Sequence, residues 1–120
     1  MIGEGTRWKE LSDPRLPALA EGKLLRAMVG GTAICFVRSA GVLRAVADHC
    51  PHQGKSFETG TCEGGYIICP WHKMSFDPVT GRNRFSTTND VQVFPVEEIG
   101  RMVRIGLPYT SISLFGVKLW

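Results

Sequence analysis

All three histidines of this 120-residue chain, and three of its four cysteines, lie between residues 49 and 81, in HCPHQGKSFETGTCEGGYIICPWHKMSFDPVTG. Thiolate sulfur and imidazole nitrogen are the donors of choice for zinc, copper and iron. Cys50, His52, Cys69 and His72 form the pattern C-x-H, sixteen residues, then C-x-x-H. A structural zinc finger puts two cysteines on one segment and two histidines on another. Here each short loop, CPH or CPWH, carries one of each. That distribution suits two metals side by side, one taking both thiolates and the other both imidazoles, as in a two-iron, two-sulfide cluster. A single zinc on the same four side chains and a Cys50–Cys69 disulfide are the alternatives; the disulfide leaves the histidines without a role. Pro51 and Pro70 stiffen the loops, and Gly54 permits close approach to an inorganic sulfide. Backbone N–H groups of such loops are expected to hydrogen-bond the sulfurs.

The remaining donors read differently. His49 adjoins Cys50 but has no counterpart before Cys69, so it is a loop residue and not a ligand. Cys62, between the loops, is a free thiol. Cys35 sits inside the apolar run AICFV, where a free thiol behaves as a small hydrophobe.

Elements that position these loops are strands. LLRAMV (24–29), TAICFVR (32–38) and VLRAVA (42–47) are apolar runs broken by Gly30-Gly31 and by Ser39-Ala40-Gly41, the signature of successive hairpins. YIIC (66–69) follows Glu63-Gly64-Gly65, and MSF (74–76) ends at Asp77-Pro78. VQVFPV (91–96) and MVRI (102–105) form a last pair around Ile99-Gly100. One short helical segment is expected at PRLPALAEGK (14–23), limited by its two prolines. Turn signals at this spacing predict an all-β sandwich or barrel. The tail YTSISLFGVKLW (109–120) reads as an edge strand or a packed tail, with a subunit contact as the functional alternative.

From HCPHQG through CPWH to FDPVTG, the chain resembles the Rieske [2Fe-2S] proteins. The resemblance implies a Rieske fold: three stacked antiparallel sheets with a small cluster-binding subdomain at about 48–82, within a single domain over 1–108 followed by the tail 109–120. It also implies one cluster, with Cys50 and Cys69 on one iron and His52 and His72 on the other. High-potential members carry a disulfide between the ligand loops; the matching positions are Lys55 and Trp71, so it cannot form. Those members also set a serine and a tyrosine hydroxyl near the sulfurs, where this chain has Met74 and Phe76. Ser75 lies one step along and points to the other face of a strand. A low potential is therefore expected.

Small members of this kind resemble ferredoxins that pass one electron from a reductase to a terminal oxygenase or related redox enzyme. The oxygenase itself needs a further iron site of two histidines and a carboxylate; with two histidines committed, this chain has no second pair. It reads as a carrier and not an enzyme. The alternative is a small subunit of a nitrite-reductase-like complex, favoured by the apolar tail. Dioxygenase ferredoxins tend to be acidic, while this chain has a pI near 8.8, which points to a different sort of partner, a nitrite-reductase-like flavoprotein or a monooxygenase. Arg82, Arg84, Arg101 and Arg104 suit that different sort of partner. Two further departures are Lys73, where relatives have glycine, and RNRFSTTNDVQVF (82–94), which lacks the prolines of the usual shielding loop.

The net charge of +3 comes from scattered Lys and Arg, with no basic block interleaved with aromatics, so nucleic-acid binding is not expected. No stretch approaches the roughly 20 apolar residues that cross a bilayer. MIGEGTRWKELSDP lacks the apolar core of a secretory signal, and a cytoplasmic location is expected.

Overall fold

A computed structural model describes residues 4–51, 54–70, 74–85 and 90–110. The described residues form ten strands: β1 (Glu4–Leu11), β2 (Leu24–Val29), β3 (Thr32–Ser39), β4 (Val42–Ala47), β5 (Thr61–Glu63), β6 (Tyr66–Ile68), β7 (Ser75–Phe76), β8 (Val93–Phe94), β9 (Val96–Ile99) and β10 (Met102–Thr110). They build three antiparallel sheets, ordered β1-β10-β9, β2-β3-β4-β8 and β5-β6-β7.

The side-chain alternation of β3 explains the layering. Ile34 and Phe36 pack with Val103 and Ile105 of β10 in one core, which also holds Leu16, Leu43, Ala45 and Phe94. Their neighbours Cys35 and Val37 point the other way, into a second core with Val46, Phe57, Ile67 and Phe76. The four-stranded sheet is thus the middle layer, buried on both faces. This is why AICFV reads as a continuous apolar run and not an alternating one. Each fully buried Phe or Ile there contributes about 1.5–3 kcal/mol over an exposed one.

Two expectations are corrected. VQVFPV is not one strand: β8 pairs with β4, and after Pro95 the chain crosses to the other sheet as β9, paired with β10. Proline has no N–H for a ladder, while its carbonyl accepts from Gly106 N at 2.9 Å, which anchors the crossing. Nor does 14–23 form a helix. Its turns are held by Leu16 N to Asp13 O at 3.1 Å and Leu19 N to Leu16 O at 3.2 Å. The Arg38 guanidinium donates to the carbonyls of Leu16, Pro17 and Leu19 at 3.2, 3.1 and 2.9 Å. These acceptors are satisfied from β3, so no helical ladder is needed.

β1 carries no apolar period; Thr6 to Glu10 are all exposed. It is an edge strand held by backbone pairing with β10 from Glu4↔Thr110 to Leu11↔Val103. β10 extends two residues into the segment read as a tail; residues 111–120 lie outside the described ones. No helix among the described residues is long and apolar enough to cross a membrane.

Gly81 closes the turn after β7, with φ +78° and its N–H on Asp77 O at 2.7 Å. A Cβ there would collide with the Val91 carbonyl oxygen, which is backbone and cannot swing away. Gly81→Ala is expected to cost about 3 kcal/mol, from positive-φ strain plus displaced backbone. Urea unfolding reads it directly, and an unchanged midpoint would show that the turn yields freely.

Candidate metal centre

Each ligand loop begins where a strand ends and is closed at its base in the same way. After β4, Cys50 N donates to Lys55 O at 2.8 Å; after β6, Cys69 N donates to Met74 O at 2.7 Å. Each bond spans five residues, so His52 and His72 fall inside the two closed loops by sequence. Both histidines, with Gln53, Trp71 and Lys73, lie outside the described residues.

The two cysteines converge. Cys50 and Cys69 are fully buried, not joined in a disulfide, and sit in one packed cluster with Cys35, Val37, Val46, Phe57, Ile67, Phe76 and Val91. Beneath them Phe57 and Phe76 meet edge to face, with centroids 5.6 Å apart. Phe76 is fully buried in that cluster and Met74 packs against it, so the two positions read as lacking a hydroxyl do adjoin the cysteines. Ser75, between them, is buried but is not part of that cluster.

Gly54 closes the first loop further, its N–H on Cys50 O at 2.6 Å with φ +69°. A Cβ at Gly54 would come within 3.1 Å of His49 Cε1. The glycine is needed for its turn and for the neighbouring imidazole, and exposed His49 packs on the loop from outside. The N–H groups of Cys50, Gly54 and Cys69 are all engaged in loop closure. The expectation that loop amides hydrogen-bond the sulfurs falls mainly on residues 52, 53 and 71–73, outside the described ones.

Sequence reasoning missed the anchor of the first loop. The Asp48 side chain has no exposed surface and faces Arg26 Nε at 2.8 Å. It also accepts from Ser56 Oγ at 2.6 Å and from Phe57 N at 2.8 Å. One carboxylate thus ties the start of the loop to its end and to β2. The available signal was an aspartate ending an apolar strand, since a buried carboxylate must find partners.

The other two thiols stand apart from this chemistry. Burial, reinforced by the Asp48 carboxylate, pushes the Cys35 thiol far above its ordinary range. Burial also raises Cys62, partly offset by a hydrogen bond with Ser39. Both therefore stay protonated at neutral pH and are poor ligands.

Two cysteine loops with matching closures thus meet one buried patch of an all-β scaffold, and the two histidines that would complete a four-donor set lie outside the described residues. Residues 12–95 match the Rieske [2Fe-2S] domain model. The chain belongs to that family, and its cofactor is a [2Fe-2S] cluster. It is 31% identical over 90 residues to the ferredoxin component of the naphthalene 1,2-dioxygenase system of Pseudomonas aeruginosa, covering 74% of this chain and 86% of that one. It is 30% identical to a chain in a solved complex of reduced oxygenase and oxidized ferredoxin in carbazole 1,9a-dioxygenase, with TM-score 0.66 and coverage of 72% and 91%. The putative NADH-dependent nitrite reductase small subunit from Mycobacterium tuberculosis has TM-score 0.72 and coverage of 85% and 96%; at 18% identity this likeness concerns the fold alone. The donor set fits the cofactor: two cysteines outside any disulfide, buried in one cluster, at the roots of two loops that each carry a histidine by sequence.

Proposed function

We propose that this protein is a cytoplasmic one-electron carrier that takes its electron from a reductase and delivers it to a terminal oxygenase. Cys50 and Cys69 hold one iron and His52 and His72 the other. The observation that carries this reading is the paired loop closure, with both cysteines buried on one patch. When bound, the cluster accepts and returns a single electron. The protein encloses the thiolates in an apolar bed, fixes the two loop roots and leaves chemical transformation to its partner. Visible and EPR spectra of purified protein, before and after dithionite, test the reading. A red-brown protein that bleaches and gains an EPR signal supports it; a colourless protein with one zinc per chain overturns it.

The potential follows from what surrounds the sulfurs. A hydrogen bond to sulfur stabilises the more negative, reduced state, and neither Met74 nor Phe76 brings a hydroxyl. Three loop amides are occupied by carbonyls. The midpoint is expected toward the negative end of the family's range of about −150 to +300 mV. Phe76→Tyr adds a donor beside the cysteines and is expected to raise it by about 60 mV, equivalent to about 1.4 kcal/mol for one electron. An EPR-monitored redox titration giving a wild-type midpoint above about +200 mV would contradict this account.

A further inference from the structure

Three arginines of the described residues are half-buried: Arg38, Arg44 and Arg104. Arg38 is paired with Glu98 at 2.6 Å, and Arg104 with Glu97 at 2.7 Å. Arg44 has no such partner among the described residues, and its Nε is buried without a hydrogen bond. A guanidinium is charged at every physiological pH. A buried donor left unmade costs about 1–3 kcal/mol, and more when charged, so an orphan of this kind calls for an explanation.

Arg44 also has a place to receive one. It lies on β4 opposite Val37, a member of the cysteine cluster. There it lines a cavity of about 370 Å³ whose other walls are Leu43, Pro78, Val79, Val93, Phe94, Pro95 and Val96. This volume falls within the 300–1,000 Å³ usual for small-molecule sites, which pair apolar walls with a few fixed polar groups. Val79, 52% exposed, stands at its solvent side. The nearest carboxylate in sequence to this wall, Asp77, is already an acceptor for Val79 N at 2.8 Å.

We infer that this cavity binds a small carboxylate with an apolar, ring-sized body. The anion pairs with the charge of the Arg44 guanidinium, and the body fills the space between Pro78–Val79 and Val93–Val96. Bare inorganic anions gain only the first of these terms, and neutral arenes only the second.

Benzoate is the probe, titrated into ¹⁵N-labelled full-length holoprotein, with benzamide and acetate as matched controls. The Arg44 Nε–H resonance and the amides of Val79 and Val93 are expected to shift together. Benzamide and acetate should each bind at least tenfold more weakly, and Arg44→Gln should weaken benzoate at least tenfold. Arg44→Lys keeps the charge but not the planar fork, and should fall between wild type and Arg44→Gln. Equal affinity for benzoate and benzamide, or benzoate binding unchanged in Arg44→Gln, would overturn the inference. So would shifts induced by a short acidic peptide while benzoate is silent, because the groove would then be a protein contact.

Discussion

Protein carrying Cys50→Ala or Cys69→Ala is expected to be colourless and to lose all cluster iron, while Cys35→Ala, Cys62→Ala and His49→Ala keep both irons and the visible spectrum. The contrast is large because the site is cooperative. Each iron depends on two protein ligands, and removing one thiolate leaves the shared cluster without one of its two anionic anchors. The fold makes the test clean. Cys35 occupies the same buried patch as Cys50 and Cys69, and its substitution removes one sulfur of packing. That costs stability on the scale of a small cavity, about 1–2 kcal/mol, without touching the loop roots. His49 is exposed, and Cys62 is half-buried on β5. Iron and sulfide assays beside the absorbance spectrum read the outcome. Retention of two irons in Cys69→Ala, or their loss in Cys35→Ala, would show that the thiolates have been assigned wrongly.

What could be read from the sequence, and what could not, divides along physical lines. β2, β3 and β4 were legible almost to the residue, because apolar runs bounded by glycine pairs leave little freedom in register. The family was legible because few chemistries use one cysteine and one histidine per loop. β1 was not, since Thr6 to Glu10 bury too little to leave a period and are held by backbone bonds alone. The break at Pro95 was visible as a residue but not as a change of sheet, which depends on where β10 lies. The helix expected at 14–23 failed because its carbonyls are taken by an arginine more than fifteen residues away in sequence. In each miss the deciding partner is distant along the chain. The loop closures at Cys50 and Cys69 belong to the same class: each makes sense only once both strands are in place.

Asp48 is the strongest case of such a hidden partner, and Asp48→Ala is expected to be the most destabilising single change near the site. Its carboxylate is fully buried and serves three donors from three segments: Arg26 of β2, Ser56 and the backbone of Phe57. Truncation leaves the buried Phe57 N–H without an acceptor and the Arg26 guanidinium without its counter-ion. Arg26 is 39% exposed and its lost pairing is screened by water, so the cost comes mainly from the orphaned Phe57 N–H and Ser56 hydroxyl, about 2–4 kcal/mol in all. For a domain of this size that lowers Tm by about 8–16 °C. Ser56→Ala removes one donor and leaves the ion pair intact, so it should cost only about 1 kcal/mol. The damage is local before it is global. Phe57 is part of the apolar bed beneath both cysteines, and Asp48 is two residues from Cys50. Asp48→Ala should therefore lose its visible absorbance on warming well before its β-sheet signal, whereas the wild type loses both together. Paired thermal scans of absorbance and far-ultraviolet circular dichroism decide it. A Tm within about 3 °C of wild type, below the shift that 1 kcal/mol produces, would mean that the loop is held by its own Cys50–Lys55 closure and not by the carboxylate.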